Sequence, residues 1–169
     1  MALSYRKAWK LLEKSTPLTS DCGTLCGGAC CKGSGEEGML LFPHEELMYA
    51  SCPDGFTIRD SNITLASGYH VKFLTCRGQC PRNQRPLSCR IFPVIPYIGE
   101  DQILEFVPDL RGAAVCPLLF QGDQEIRPEF IDDLYAAFKT LLRDDDVLEF
   151  ITLLSRENDA LAEAYGKLL

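Results

Sequence analysis

Eight of the nine cysteines in this sequence stand at spacings typical of metal-binding thiols. They are Cys22-x3-Cys26-x3-Cys30-Cys31, Cys76-x3-Cys80, Cys89 and Cys116. Thiolates are strong, soft ligands for zinc, iron and copper. Eight of them match two four-thiolate sites, or one four-thiolate cluster with ligands to spare. The fold must therefore bring loops that are far apart in sequence to a common centre.

A disulfide scaffold is the rival explanation for so many cysteines. Nine is an odd number, which a complete disulfide framework would not use. The N-terminal segment, residues 1–10, is amphipathic and charged, and no apolar run in it leads to a small-residue cleavage site. These features predict a cytoplasmic protein. In that reducing compartment a dense cysteine pattern indicates metal binding rather than disulfide bonds.

The charge and size of the chain limit its partners. A net charge of −7 argues against nucleic acid and anionic membranes as main partners. No stretch approaches the roughly 18 consecutive apolar residues of a membrane span. A chain of 169 residues can bury an ordinary core without disulfides. We therefore expect a metal ion or cluster as the partner, with no nucleic acid and no membrane, and a protein partner is left open.

The periodicity of apolar residues predicts an α+β fold in a single domain over residues 1–169. The expected architecture has irregular cysteine-rich loops, two short hairpins and a helical C-terminal part. The cysteine-cluster region spans residues 20–120. The C-terminal helices, over residues 125–169, are expected to pack on that region.

The N-terminal half is predicted to hold two short helices separated by loops. The first covers residues 3–15. Its apolar face is expected to hold Leu3, Trp9 and Leu12. The glycines among the first four cysteines disfavour a regular helix by about 1 kcal/mol each, so a tight loop is expected there. A polar linker over residues 32–38 leads to the second short helix, which covers 43–50 and has Pro43 in its first turn.

Strands and longer helices are predicted for the rest of the chain. Two hairpins are expected from β-branched and aromatic runs around glycine-containing turns. Their strands are 56–65 with 69–75, and 91–98 with 102–107. In the C-terminal part Pro128 begins a helix whose apolar stripe includes Tyr135 and Phe138. Asp144 is expected to cap the helix that follows.

The adjacent pair Cys30-Cys31 bears on the number of metal atoms. Neighbouring side chains in an extended or turned backbone point apart, so two sulfurs on one small ion would need unusual geometry. Two metal centres, or a bridging thiolate, accommodate the pair more easily.

The segment between Cys76 and Arg90 holds four arginines and no acidic residue, in an otherwise acidic chain. A four-thiolate zinc site and a four-thiolate [4Fe–4S]²⁺ cluster both carry a formal charge of about −2. Arginines beside such a centre would offset that charge and donate hydrogen bonds to sulfur. The alternatives are a solvated basic loop and a loop that binds an anionic substrate.

Several of these motifs together resemble the YkgJ-like cysteine-cluster family, described as a zinc- or iron-chelating domain. They are the cluster ending in Cys30-Cys31, the segment Arg85-Pro86-Leu87-Ser88-Cys89-Arg90-Ile91-Phe92-Pro93, and the late Cys116. The resemblance covers about residues 20–120. The metal ligands that it implies are Cys22, Cys26, Cys30, Cys31, Cys76, Cys80, Cys89 and Cys116.

The resemblance implies zinc or an iron–sulfur cluster as the bound group, and four thiolates suit both. Cys80-Pro81 and Cys116-Pro117 resemble the Cys-Pro ending of some ferredoxin motifs, which favours iron–sulfur narrowly. A related cysteine cluster accompanies the flagellin lysine methylases, which are much longer proteins. There the resemblance would imply an iron–sulfur centre.

Four other polar features are expected to lie outside the site. Cys52 fits none of the spacings, and no second histidine stands at ligand spacing to His44 or His70. His44 is expected to be exposed, and His70 to be a packed or surface side chain. The acids at 144–146 suit a helix start better than a hard-cation site.

Two functions remain open at this point. The first is a metal-binding protein whose metal is structural, stored, handed on or sensed. The second is an iron–sulfur redox or accessory protein that supports modification of a partner protein. The sequence contains no serine–histidine–acid grouping, phosphate loop or dinucleotide fingerprint, and enzyme activity is left open.

Overall fold

Helices and two small antiparallel sheets form an α+β structure, as the sequence predicts. The computed structural model describes residues 1–20, 22–32, 37–49, 51–78, 80–119 and 126–167. In these ranges the α-helices are α1 (Ala2–Leu11), α2 (Gly23–Cys26), α3 (Leu87–Ile91), α4 (Pro128–Leu141) and α5 (Asp145–Gly166). The strands are β1 (Gly38–Leu40), β2 (Phe56–Thr64), β3 (His70–Cys76), β4 (Val94–Ile98) and β5 (Leu104–Pro108).

Helices α4 and α5 form the C-terminal part where the sequence places them. Pro128 stands in the first turn of α4, where its missing N–H costs no hydrogen bond. The Asp144 carboxylate accepts hydrogen bonds from the backbone amides of Asp146 and Val147, and so caps α5. Both helix starts are therefore confirmed. No helix in the described ranges is both long and apolar enough to cross a bilayer.

The main core lies against α4 and α5. The ring of Phe42 stands edge-on to Phe138 and Phe150, at centroid distances of 5.1 and 5.6 Å. Tyr135 was expected in this core, but it is 41% exposed. That expectation was wrong because Leu134, one residue earlier, faces the core, and a step of one residue turns the side chain away.

Helix α1 is shorter than the predicted helix over 3–15, and its core-facing side includes the predicted Leu12 and Trp9 but not Leu3. Tyr5, Ala8 and Leu12 are buried, at spacings of three and four residues that follow one helix face. Leu3 was predicted on that face but is 67% exposed. The Tyr5 hydroxyl donates a hydrogen bond of 2.5 Å to the carbonyl of Pro43, which ties α1 to the start of the second predicted helix.

The first sheet has the order β1-β3-β2. The β2–β3 hairpin confirms the prediction of strands at 56–65 and 69–75, with Ile58 opposite Leu74. Strand β1 was not predicted, because Gly38 ends the expected linker and the two residues after it are too few to show an alternating pattern. Met39 of β1 pairs with Leu74 from the other side of β3. Residues 33–36 of that linker lie outside the described residues.

The second sheet confirms the other predicted hairpin, but its first strand begins at Val94 rather than at residue 91. Strand β4 pairs with β5, and Ile98 lies opposite Leu104. The first residue of the predicted strand, Ile91, belongs instead to α3, in which Leu87 and Ile91 are buried, and residues 92–93 form a turn. The backbone amide of Ile98 donates a 2.9 Å hydrogen bond to the Ser155 hydroxyl of α5. This bond holds the second sheet against the C-terminal helix.

Candidate metal centre

All nine cysteines lie in the described part of the chain, and none of them forms a disulfide. The structure divides the eight candidate ligands into two groups of four that come from different segments. The cavity group consists of Cys22, Cys26, Cys30 and Cys116. The arginine group consists of Cys31, Cys76, Cys80 and Cys89.

The cavity group surrounds a small cavity of about 20 Å³. Cys22 precedes the single turn of α2, and Cys26 ends it. Gly27 and Gly28 then adopt left-handed φ angles of 60° and 70°, which a side chain would disfavour. These two glycines reverse the chain, so that Cys30 in the next short turn returns to the cavity. The expected tight loop is therefore one helical turn, two left-handed glycines and a 3₁₀ turn.

Cys116 joins the cavity group from far along the chain. Its side chain is 8% exposed, and burial raises the pKa of its thiol. The backbone amides of Leu118 and Leu119 donate hydrogen bonds to its sulfur and oppose that rise. Gly112 is needed nearby, because a Cβ there would lie 2.5 Å from the ring of Phe92. This close approach brings the Cys116 turn against the wall of the cavity.

The arginine group is assembled from regular elements. Cys76 is the last residue of β3 and lies opposite Phe56, and Cys89 lies in α3. Gly78, two residues after Cys76, packs on the backbone of Cys31. At Gly78, which has a φ of 77°, a Cβ would lie only 2.6 Å from the Cys31 carbonyl oxygen. A glycine at this position therefore brings Cys31 to the other three thiols.

Burial and mutual repulsion disfavour thiolates in the arginine group. Burial raises the pKa of Cys89, and the neighbouring thiols of Cys80, Cys31 and Cys76 raise it further. Burial likewise raises the pKa of Cys80, whereas Arg85 opposes that rise through its charge and a hydrogen bond. A positive charge on a bound ion would relieve the same repulsion.

Arg85 is the cation of this group. Burial disfavours its charge, but the thiols of Cys31, Cys80 and Cys89 outweigh burial and raise its pKa. Its side chain hydrogen-bonds Cys80, while its Nε is buried and has no hydrogen-bond partner. A buried donor without a partner is costly in a folded protein. A buried N–H donor without a partner, close to these three thiols, suits a site that becomes more negative when thiolates form.

Two other arginines of the basic segment hold the backbone. Arg82 donates hydrogen bonds to the carbonyls of Glu13 and Ser15, just after α1. Arg90 is 2% exposed, donates from Nε to the Arg85 carbonyl, and lies 4.7 Å from the centre of the Trp9 ring. In the basic segment, Arg85 therefore places a positive charge near the sulfurs, whereas Arg82 and Arg90 attach the segment to α1 and the residues just after it.

The two groups meet at the adjacent pair Cys30 and Cys31, whose sulfurs are 4.0 Å apart. The hydrogen bond shared with Cys31 raises the pKa of Cys30, and partial burial and the neighbouring thiols of Cys26 and Cys22 add to the rise. Cys30 is nevertheless exposed at the surface. One backbone step therefore places one sulfur in each group while the two sulfurs stay in contact, and the expectation of two metal centres or a bridging thiolate stays a prediction.

Glu45 supports the arginine group from behind, and its role was missed in the sequence. Its carboxylate is fully buried and accepts hydrogen bonds from the Trp9 indole at 2.8 Å and the Leu87 amide at 2.7 Å. Burial raises the pKa of Glu45 to about 7, although these bonds and the nearby Arg90 lower it. Leu87 begins α3, so Glu45 fixes the start of the helix that carries Cys89.

The remaining candidates lie apart from both groups. Cys52 is exposed, and its thiol donates to the Phe56 carbonyl at 3.5 Å. His70 is exposed beside Thr64. The expectation that His44 is exposed was wrong. With a left-handed φ of 68°, its ring lies against Tyr69, 2.9 Å from the carboxylate of Asp146.

No metal-ligand geometry is already formed by the thiols. Among the described residues, no three cysteine sulfurs lie within 4.8 Å of one another. The group that meets this distance consists of His44, Asp144 and Asp146, at the start of α5. Two of its members have structural partners, because Asp144 caps the helix and Asp146 holds the His44 ring.

Comparison of the chain with protein-family models, with curated proteins and with solved structures finds no match. The resemblance to the YkgJ-like family therefore stays a prediction that rests on the motifs alone.

Proposed function

We propose that this protein binds metal through eight cysteines arranged as two four-thiol centres, and that the bound group is zinc or an iron–sulfur cluster. One observation carries the proposal. Thiols that lie far apart in the sequence gather into the cavity group and the arginine group, which meet at a sulfur pair 4.0 Å apart. The sequence spacings lead to the same eight residues independently.

The donor set supports this function. Four thiols in each group are soft ligands of the kind that zinc and iron–sulfur clusters take. Arg85 and the amides of Leu118 and Leu119 provide the positive charge and N–H groups that stabilise bound thiolates. Such a metal would act as a Lewis acid or an electron carrier, or would only clip the loops together.

Three observations bear on the choice of metal, and they do not all favour the same one. A tetrahedral zinc site with bonds of about 2.3 Å needs sulfurs about 3.8 Å apart, so these thiols must move inward to hold zinc. A cavity of about 20 Å³ matches one small ion better than a four-iron cluster. The Cys-Pro motifs favour iron–sulfur narrowly. Metal analysis decides between the two.

The second function is an iron–sulfur redox or accessory protein that acts with a partner protein. The exposure of Cys30 at the junction of the groups favours it, because electron transfer requires an accessible edge. A cytoplasmic location completes the proposal, since reducing conditions keep the thiols available for metal.

Anaerobic purification followed by metal and acid-labile sulfide analysis tests the function. Stoichiometric zinc in a colourless protein, or iron with sulfide and broad visible absorption, would support it. Cys80→Ser and Cys89→Ser are expected to lose metal, whereas Cys52→Ser, the matched control, keeps all of it. Wild-type protein without metal, or full metal content in both ligand variants, would overturn the proposal.

A further inference from the structure

The two groups differ first in the charge that surrounds them. In the arginine group the Arg85 guanidinium hydrogen-bonds Cys80 and lies near Cys31 and Cys89. In the cavity group every lining side chain other than the cysteines is apolar. The ammonium of Lys32 lies against the glycine turn, 3.3 Å from a Cβ built on Gly27, but this side chain is exposed and does not line the cavity. Four bound thiolates are therefore better neutralised in the arginine group.

The groups differ also in how the chain holds their ligands. In the arginine group Cys76 belongs to a paired strand, and Cys89 to a helix whose start is fixed by Glu45. In the cavity group Cys22, Cys26 and Cys30 lie on the glycine turn. Several backbone hydrogen bonds of this turn join its own residues, such as Gly28 to Gly23. Ligands held in place before binding lose less freedom on binding and keep the metal longer.

Access to solvent is the third difference. Cys30 of the cavity group is exposed, whereas all four thiols of the arginine group are at least partly covered. An incoming ligand reaches a bound ion most easily where one of its sulfurs faces solvent. Two exposed apolar side chains, Leu25 and Val115, flank the cavity group. The cavity group is therefore the more accessible of the two groups.

We propose that the arginine group retains its metal and that the cavity group exchanges metal with acceptors bearing thiolate or nitrogen ligands. This inference rests on the proposed function, because it requires both groups to bind. Exchange involves no redox change. Cys30 leaves the ion as the acceptor's donor atom binds, and the freed thiolate takes a proton from solvent. The protein would then hold one metal structurally and pass on the other.

The test measures release of Cd²⁺, a thiophilic probe ion, from the full-length protein loaded to two equivalents under anaerobic conditions. Loss of the ultraviolet sulfur-to-cadmium absorption is followed after excess chelator is added. Two phases of one equivalent each are expected. Cys26→Ser is expected to remove the fast phase. Arg85→Met is expected to accelerate the slow phase by about tenfold to a hundredfold, since it removes a charge-assisted hydrogen bond.

Arg77→Met is the matched control, because Arg77 lies in the same basic segment and is exposed. It is expected to leave both rates unchanged. A single phase in the wild type, or loss of the slow phase in Cys26→Ser, would overturn the inference. If Arg85→Met does not fold, Cys22→Ser decides, because it too must remove the fast phase. Binding of fewer than two equivalents would overturn the proposed function instead.

Discussion

The arginine group and the cavity group each contain four cysteine side chains, but the chain builds the two groups in different ways. The arginine group takes its thiols from the end of a strand, a short helix and a loop packed on Gly78, with a guanidinium among them. The cavity group takes three of its thiols from a turn reversed by two glycines. Ligand type is therefore the same in both, while charge, rigidity and access differ. The proposed distinction between a retained and an exchangeable metal therefore rests on the surroundings of the thiols rather than on the thiols themselves.

Removal of the metal is expected to have the largest effect on the stability of both groups. A structural four-thiolate site contributes on the order of 10 kcal/mol to folding, so complete chelation is expected to unfold much of the cysteine region. In metal-loaded protein, Cys89→Ser is expected to lower the Tm more than Cys22→Ser, because Cys89 joins two regular elements. Thermal unfolding followed by circular dichroism measures both variants. Equal losses of Tm would remove the distinction between the groups.

Glu45 provides a pH test of the support behind the arginine group. Burial raises its pKa from 4.5 to about 7, so the folded protein keeps a proton that the unfolded chain releases. The stabilisation that comes from this bound proton is fully present below the pKa of Glu45 in the unfolded chain, and it is lost as the pH rises through about 7. At about 1.4 kcal/mol for each pH unit, this amounts to roughly 3 kcal/mol.

Glu45→Gln is expected to abolish this part of the pH dependence, because a neutral amide occupies the same place. Chemical denaturation at a pH below 5 and again above 7 measures the change in the free energy of unfolding. The same pH dependence in wild type and variant would show that Glu45 does not titrate in this range.

A matched pair of glycine substitutions compares the two groups directly. Gly78 and Gly28 both have left-handed φ angles, 77° and 70°, so alanine costs about 1–2 kcal/mol at each. At Gly78 the new Cβ also meets the Cys31 carbonyl oxygen at 2.6 Å, whereas at Gly28 nothing lies within 4 Å. Gly78→Ala is therefore expected to cost about 1–3 kcal/mol more than Gly28→Ala in urea unfolding.

Gly166→Ala is the control for this pair, because it has open space around it at the end of α5. It is expected to change stability little. If Gly28→Ala proves as costly as Gly78→Ala, the glycine turn is held as rigidly as the arginine group.

Asp144→Ala is expected to have the smallest effect on stability. It also tests whether the C-terminal helices influence metal release. It removes the cap of α5 and costs about 1 kcal/mol. Both phases of Cd²⁺ release are expected to stay as in the wild type, because α5 contributes no thiol to either group. A changed release rate would show that the helical part controls metal retention.

Local patterns predicted the longer elements of this fold. The apolar stripe after Pro128, the cap at Asp144 and the alternation over 56–75 each lie within one element or one hairpin. Strand β1 was missed because three residues carry no period, and it forms only by pairing with β3. The burial of Glu45 was missed for the same reason. Its partner amide, that of Leu87, is 42 residues away in the sequence.

The candidate ligands were predicted from spacing, but their division into groups depends on tertiary contacts. Whether Cys31 joins Cys30 or Cys89 is decided by the approach of the Gly78 loop to its carbonyl. Composition also could not separate Arg85, which contacts a thiol, from Arg82, which holds backbone carbonyls. The eight-ligand set itself stays a prediction until metal is measured.

Native mass spectrometry of anaerobically purified protein tests the central claim, two metal centres of four thiols each, most directly. The mass of the bound group also separates zinc from an iron–sulfur cluster. The account predicts two centres in the wild type and in Cys52→Ser, with one centre remaining in Cys26→Ser and one in Cys80→Ser. A metal-free wild type, or a single centre that either ligand variant removes completely, would contradict it.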